Sequence, residues 1–240
     1  RRGGNAMDAA VAASATLSVT EPLSTGIGGD CFLLYHEAAT GELHALNGSG
    51  RAPCRATPDT LRASGMTTVP ERGILSVSVP GAVDAWQTAV ERFGTCDFGM
   101  LLEPAIEYAE NGFAVTPVIA GVWDKHAGLF RQSPDSARSF LVDDRAPAAG
   151  ALHCFPDLAR SLRLIAQQGK DALYRGVLAE EIIRFSDEHN GLLALEDFAN
   201  HRSEWVEPVS TDYRRLTVFE VPPNSQGITA LMTLNILKQA

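Results

Sequence analysis

The sequence predicts an α+β domain of sandwich type with a helical lobe set into it. Two observations carry this reading. Segments of strand character lie towards both ends, at Cys31–Tyr35 and Leu43–Asn47 and again at Thr217–Val221, while helical patterns fill most of the interval. Proline and glycine punctuate almost every boundary, which separates the elements cleanly.

Taken in order, Asn5 is placed to cap a first helix, with Asp8 at the third following position able to complete a capping box. From Ala9 to Leu17 the helix is small and apolar on nearly every face, so it reads as buried between layers, its alanines permitting close backbone approach. Pro22 and Gly26 end this region. Cys31–Tyr35 and Leu43–Asn47 form a hairpin through the turn Ala39-Thr40-Gly41-Glu42. Gly48–Arg51 is a loop, and Pro53 holds the next segment extended. Alternation over Gly73–Val79 predicts a third strand, turned by Pro80-Gly81 into a helix at Ala82–Phe93. Leu101–Asn111 is a helix closed by Gly112. Helical signs continue at Val118–Phe130, Pro156–Gly169 and Gly176–Asn190, and Glu196-Asp197-Phe198 opens a short segment. Thr217–Val221 is the last strand, running into Pro222-Pro223.

With 240 residues, 45% apolar and 20% charged, the chain can bury the core of one large domain or two small ones. A net charge of −9 argues against nucleic acid, whose binding rests on lysine and arginine. No apolar run reaches the roughly 18–20 residues of a membrane span. The chain opens at Arg1-Arg2 and stops within the apolar helical pattern Thr229–Leu237, so it is expected to be a fragment. Its compartment, cytoplasm or periplasm, stays open. Cysteines 31, 54, 96 and 154 lack metal-like spacing and read as reduced thiols, Cys31 as a packing residue.

The residues suggest no self-sufficient active site. Gly26-Ile27-Gly28-Gly29 fits neither the dinucleotide fingerprint nor the P-loop and reads as a tight loop that lets two sheets approach. Histidines 36, 44, 126, 153, 189 and 201 form no helical metal pair; His36 and His44 read as surface polar residues, with a meeting across the hairpin as the alternative. No G-x-S-x-G elbow is present. No cofactor and no metal are expected. Pro222-Pro223-Asn224-Ser225-Gln226-Gly227 makes a rigid polar loop, for which a structural turn and a pocket wall stand as equal readings.

Several motifs in fixed order give a sharper reading. The run Gly3-Gly4-Asn5-Ala6-Met7-Asp8 through Glu21-Pro22-Leu23-Ser24-Thr25-Gly26-Ile27-Gly28-Gly29 resembles the opening of the large subunit of γ-glutamyltranspeptidases. Val79-Pro80-Gly81, Glu103–Phe113, Gly169–Gly176, Asn190–Phe198 and Pro222–Gly227 resemble further motifs of that family in family order. The resemblance implies an N-terminal nucleophile hydrolase with a four-layer αββα sandwich, of which this chain is the large-subunit part with a helical lobe. It implies a precursor that cleaves itself. The new N-terminal threonine of a small, C-terminal subunit is then the nucleophile, activated by its own amine, so no catalytic residue is expected here. The implied partners are that small subunit and a γ-glutamyl or related acyl-amide substrate.

One departure bears on specificity. Members that transfer glutamyl groups carry R-E-x-A-P, whose arginine grips a substrate carboxylate as a bidentate fork. Aligned on Ala52-Pro53, this chain places Ser49 at that arginine and Arg51 two residues on; Asp30 likewise replaces a glycine. The resemblance therefore assigns substrate binding to Ser49 and Arg51, with Asn224 and Ser225 as further candidates. It implies weak γ-glutamyl turnover that rises with Ser49→Arg. The alternatives are a glutaryl- or β-lactam-type acylase of the same fold, and a non-catalytic homologue serving as a binding or scaffold protein. The organisation expected over residues 1–240 is a sheet-and-helix framework at 1–93, a helical lobe at 94–200, and a return to sheet and pocket loop at 201–240.

Overall fold

The computed structural model describes residues 3–238. In chain order its elements are α1 (Ala6–Thr20), β1 (Cys31–Glu37), β2 (Glu42–Gly48), α2 (Pro58–Ala63), α3 (Ala82–Phe93), α4 (Phe98–Asn111), β3 (Phe113–Ala114), α5 (Pro117–Phe130), α6 (Pro134–Phe140), β4 (Leu152–His153), α7 (Pro156–Gln168), α8 (Asp171–Tyr174), α9 (Val177–Glu188), α10 (Leu195–Ala199), β5 (Glu204–Val206), β6 (Val209–Tyr213), β7 (Leu216–Glu220) and α11 (Gly227–Leu237). They group into two compact units, residues 1–27 with 94–169, and residues 28–93 with 170–240.

The first unit is helical. Asn5 Oδ1 accepts the N–H groups of Met7 and Asp8 at 2.9 and 3.1 Å, and Asp8 Oδ2 accepts the Asn5 N–H at 2.8 Å, closing the capping box. Asp8 also accepts Thr95 Oγ1 at 2.7 Å and the N–H groups of Thr95 and Cys96, tying the start of α1 to the chain entering α4. Burial pushes its carboxyl up, but the Thr95 hydroxyl and the backbone donors of Asn5, Thr95 and Cys96 outweigh burial and hold its pKa at about 2. Met7, Val11, Ala15 and Val19 form the buried stripe of α1, which packs on α4. The expected burial on every side does not occur: Ala9, Ala10, Ala13 and Leu17 are exposed, because α4 covers one stripe of the helix. α4 in turn packs on α7, closely enough that a Cβ at Gly99 would collide with the Ala166 carbonyl. Farther along, Thr116 caps α5, whose Trp123 is fully buried, stacks on Phe155 and donates to Phe140 O at 2.7 Å.

The second unit is built on an antiparallel sheet in the order β1-β2-β5, with Cys31 opposite Gly48 and Asn47 opposite Glu204. α3 packs on β2, and a Cβ at Gly48 would come within 2.5 Å of Ala85 Cβ, so the contact requires glycine. The strand expected at Gly73–Val79 is absent. Ser76 N folds back on Gly73 O at 3.1 Å in a 3₁₀ turn at Ile74–Ser76, and Val79 N reaches Arg51 O at 3.0 Å, so local bonds replace a ladder. His36 and His44 do not meet across the hairpin. The register sets His44 opposite Tyr35 and His36 opposite Leu43, which puts the two rings on opposite faces. His44 instead packs against Phe93 at 4.8 Å and edge-on to Trp205.

A buried polar knot lies beneath this sheet. Asp84 accepts Lys170 Nζ at 2.7 Å and the Ser203 N–H at 2.5 Å, while Tyr174 donates to Pro80 O at 2.7 Å and accepts the Asp84 N–H. Burial raises the Asp84 carboxyl, but the Lys170 and Ser203 donors and the Lys170 charge prevail and keep it below its ordinary value. The β6–β7 hairpin packs with α11. α11 is apolar on all sides yet buried only at Gly227 and Leu231, leaving Met232 59% and Ile236 71% exposed.

Candidate substrate-binding site

The glycine turn that opens the second unit seats its start on α3. Gly29 O accepts the N–H groups of Gly81 and Ala82, both at 2.9 Å. A backbone carbonyl thus occupies the helix N-terminus where an anion would otherwise sit; the turn bonds to a helix start, where an approach of two sheets was expected. The next residue, Asp30, is delivered beside the loop that leaves β2.

That loop is set by backbone lying against backbone. A Cβ at Gly50 would overlap the Val79 carbonyl, and one at Gly81 would overlap the carbonyl of Gly48. Between these glycines Ser49 projects into a directed chain of hydrogen bonds. Asn47 Nδ2 donates to Asn224 Oδ1 at 3.0 Å, Asn224 Nδ2 donates to Ser49 Oγ at 2.7 Å, and Ser49 Oγ donates to Asp30 Oδ2 at 3.1 Å. The Gly50 N–H adds a bond to Asp30 Oδ1 at 2.8 Å, and the Ser49 N–H one to Asn47 Oδ1 at 3.0 Å.

Arg51 points the other way, its Nη2 lying 2.8 Å from Glu204 Oε1, and Arg202 Nε lies 3.9 Å from the same oxygen. Strand pairing explains the convergence, since β5 sets Glu204 opposite Asn47. The segment carrying Arg202 and Glu204 is anchored behind by the Ser203 N–H on buried Asp84. The neighbouring His201 is buried, stacks on Tyr174, and is held below its ordinary pKa chiefly by burial. Together Asn47, Ser49, Gly50, Arg51, Ala52, Arg202, Glu204 and Asn224 line an open cavity of about 530 Å³.

Of the residues named from sequence, the structure brings Ser49, Arg51 and Asn224 to this cavity. Ser225 is placed elsewhere: its hydroxyl donates to Val221 O at 2.7 Å and accepts the Gly227 N–H at 3.2 Å, serving the start of α11. Asn47, Arg202 and Glu204 were not anticipated. Their sequence signal is faint, because it resides in the β2–β5 register. The sequence marks Asp30 as a departure from the family pattern, but its bond with Ser49, 19 residues away, has no local signal. Since position 49 faces that carboxylate, Ser49→Arg would bring its guanidinium against Asp30, and the gain expected from that change does not follow from position 49 alone.

The cavity has no ligand set suited to a metal. Among the described residues, Glu37, Glu42 and His44 converge at the far end of the hairpin, with His44 Nε2 at 3.5 and 3.7 Å from the two carboxylates. Arg92 Nη2 lies 3.4 Å from His44 Nδ1. A guanidinium only donates, so Nδ1 accepts and Nε2 carries its proton towards the glutamates. At those distances His44 Nε2 faces the two glutamates without a hydrogen bond to either. No helix among the described residues is long and apolar enough to cross a membrane.

Comparisons with known proteins agree along the whole chain. The family model described as Gamma-glutamyltranspeptidase matches residues 1–240. The glutathione hydrolase-like YwrD proenzyme of Bacillus subtilis is 42% identical over 99% of this chain and 45% of its own length. The acylase ACY 1 proenzyme of a Pseudomonas species is 35% identical over 98% and 44%. Among solved structures, a cephalosporin acylase from Bacillus halodurans superposes with a TM-score of 0.94 at 42% identity, covering 99% of this chain and 45% of that one. The γ-glutamyltranspeptidase of Helicobacter pylori gives 0.92 at 32%, covering 99% and 69%. The chain therefore spans less than half the length of these curated relatives, and its fold is the one these structures share.

Proposed function

The chain belongs to the gamma-glutamyltranspeptidase family, and from that premise we propose that it is the large-subunit portion of a self-cleaving acyl-transfer enzyme. Its relatives named as proenzymes are about twice as long, which supports a second subunit drawn from the same precursor. In the proposed reaction a threonine hydroxyl at the small subunit's new N-terminus attacks the acyl carbonyl of an amide, its proton passing to the threonine's own amine. The amine half of the substrate leaves, and water or a second amine then takes the acyl group. The present residues supply scaffold and one wall of the acyl pocket.

The observation that carries this reading is the cavity in which Arg51 and Arg202 share Glu204 beside Ser49 and Asn224. Two guanidiniums at the rim of a polar cavity suit an acyl group bearing a free carboxylate, as γ-glutamyl and glutaryl groups do. A glutaryl- or β-lactam-type acylase is the second reading, favoured by Ser49 and by the 42% identity to a cephalosporin acylase. Expression of the complete precursor should give two bands on a denaturing gel; a single uncleaved band, with no amide hydrolysis, leaves the scaffold reading in its place. Comparing γ-glutamyl with glutaryl anilides then separates the substrates. Arg51→Ala is expected to raise KM for carboxylate-bearing acyl anilides about tenfold, the loss of one charge-assisted hydrogen bond.

A further inference from the structure

The hydrogen-bond chain across the cavity has a direction, and Asp30 sets it. A carboxylate only accepts, so the single Ser49 proton is drawn to Asp30 Oδ2, while Asn224 Nδ2 fills a lone pair on Ser49 Oγ. Ser49 thus has no proton to offer a ligand. Asp30 is itself held in place by the Gly50 N–H on its other oxygen. On the opposite side of the cavity, Arg51 and Arg202 present donors that only Glu204 engages among the pairs around it.

We infer that Asp30 is a specificity-determining residue: it commits the Ser49 hydroxyl to itself, so that a carboxylate on the acyl group is taken by the Arg51–Arg202 side of the cavity and gains nothing from Ser49. This rests on the cavity being the acyl pocket. Asp30→Asn tests it with little change of shape. The Gly50 N–H still requires an acceptor, so the amide oxygen stays there and the amide nitrogen turns to Ser49 Oγ. Ser49 then accepts from two amides, its proton swings into the cavity, and one negative charge is gone.

The measurement uses the full-length, self-cleaved protein and the ratio of kcat/KM for glutaryl anilide to that for neutral butyryl anilide. Asp30→Asn should raise this ratio about tenfold, one hydrogen bond to a charged group. Asp30→Asn combined with Ser49→Ala should lose most of the gain. Ser49→Ala alone should shift the ratio by less than about threefold, because the native hydroxyl gives the substrate nothing. The inference is overturned if Asp30→Asn leaves the ratio within about twofold of native, if the gain survives in the double variant, or if Ser49→Ala alone lowers the ratio about tenfold. Should Asp30→Asn fail to mature, the Ser49→Ala result still decides. Arg51→Ala separates the two levels of failure. If it leaves the ratio unmoved, the cavity is not the acyl pocket; if it collapses the ratio while the Asp30 arms fail, only the role of Asp30 falls.

Discussion

Asp8 shows how much one side chain can organise. It completes the cap of α1 and receives Thr95 and Cys96 from the approach to α4, so its loss would open two connections at once. Asp8→Asn keeps the shape but cannot accept from every donor, and a cost of about 2 kcal/mol is expected in urea unfolding. The sign with pH follows from a folded-state pKa of about 2, below the ordinary 3.8. This stabilisation is complete above the ordinary value and fades as pH falls through about 2. The Asn variant should therefore show a shallower loss of stability over that acid range. Asp8 was legible in the sequence because a capping box is a local rule with fixed spacing. The meeting of Asp30 with Ser49 and Asn224 was not, since a hydrogen bond between residues 175 apart in the chain leaves no local signature.

The elements written by periodicity and punctuation came through: α3 runs Ala82–Phe93 as expected, and α4 ends at Gly112, whose φ of 91° suits glycine. Elements that depend on a distant neighbour did not. Gly73–Val79 has the alternation of a strand but no ladder, and the short strands β3, β4 and β5 are too brief to carry a pattern. The reading of α1 erred for a related reason. Apolarity on every face measures what a helix can bury, and the packing partner α4 decides how much it does. At the scale of the loop that leaves β2, Gly50→Ala would drive a methyl into the Val79 carbonyl. The expected result is a loss of about 3 kcal/mol or more in unfolding, or failure to mature, whereas Gly41→Ala in the hairpin turn meets no neighbouring atom and pays only for its φ of +75°.

For the molecule as a whole, composition fixed an ordinary globular chain, and the ordered motifs fixed the family. The two-unit division, in which residues 94–169 join residues 1–27, follows from long-range contacts that no window along the chain reports. Apolar surface remains on several elements: Phe32 and Leu34 on β1, Leu17 on α1, and Ile228, Met232, Ile236 and Leu237 on α11. The run on α11 is of the kind that suits a partner surface, and the proposed second subunit would be the one to cover it. Residues 1–240 expressed alone should therefore bind the dye ANS strongly and self-associate, while the complete mature protein should not; equal dye binding by both would refute this. A last consequence belongs to the loop between Gly48 and Arg51. Its path is secured by carbonyls and glycines, whereas its chemistry is carried by the side chains at 30, 49, 51 and 224. Frame and lettering are thus separate, so a handful of exchanges can change what the proposed acyl socket accepts while its walls stay where they are.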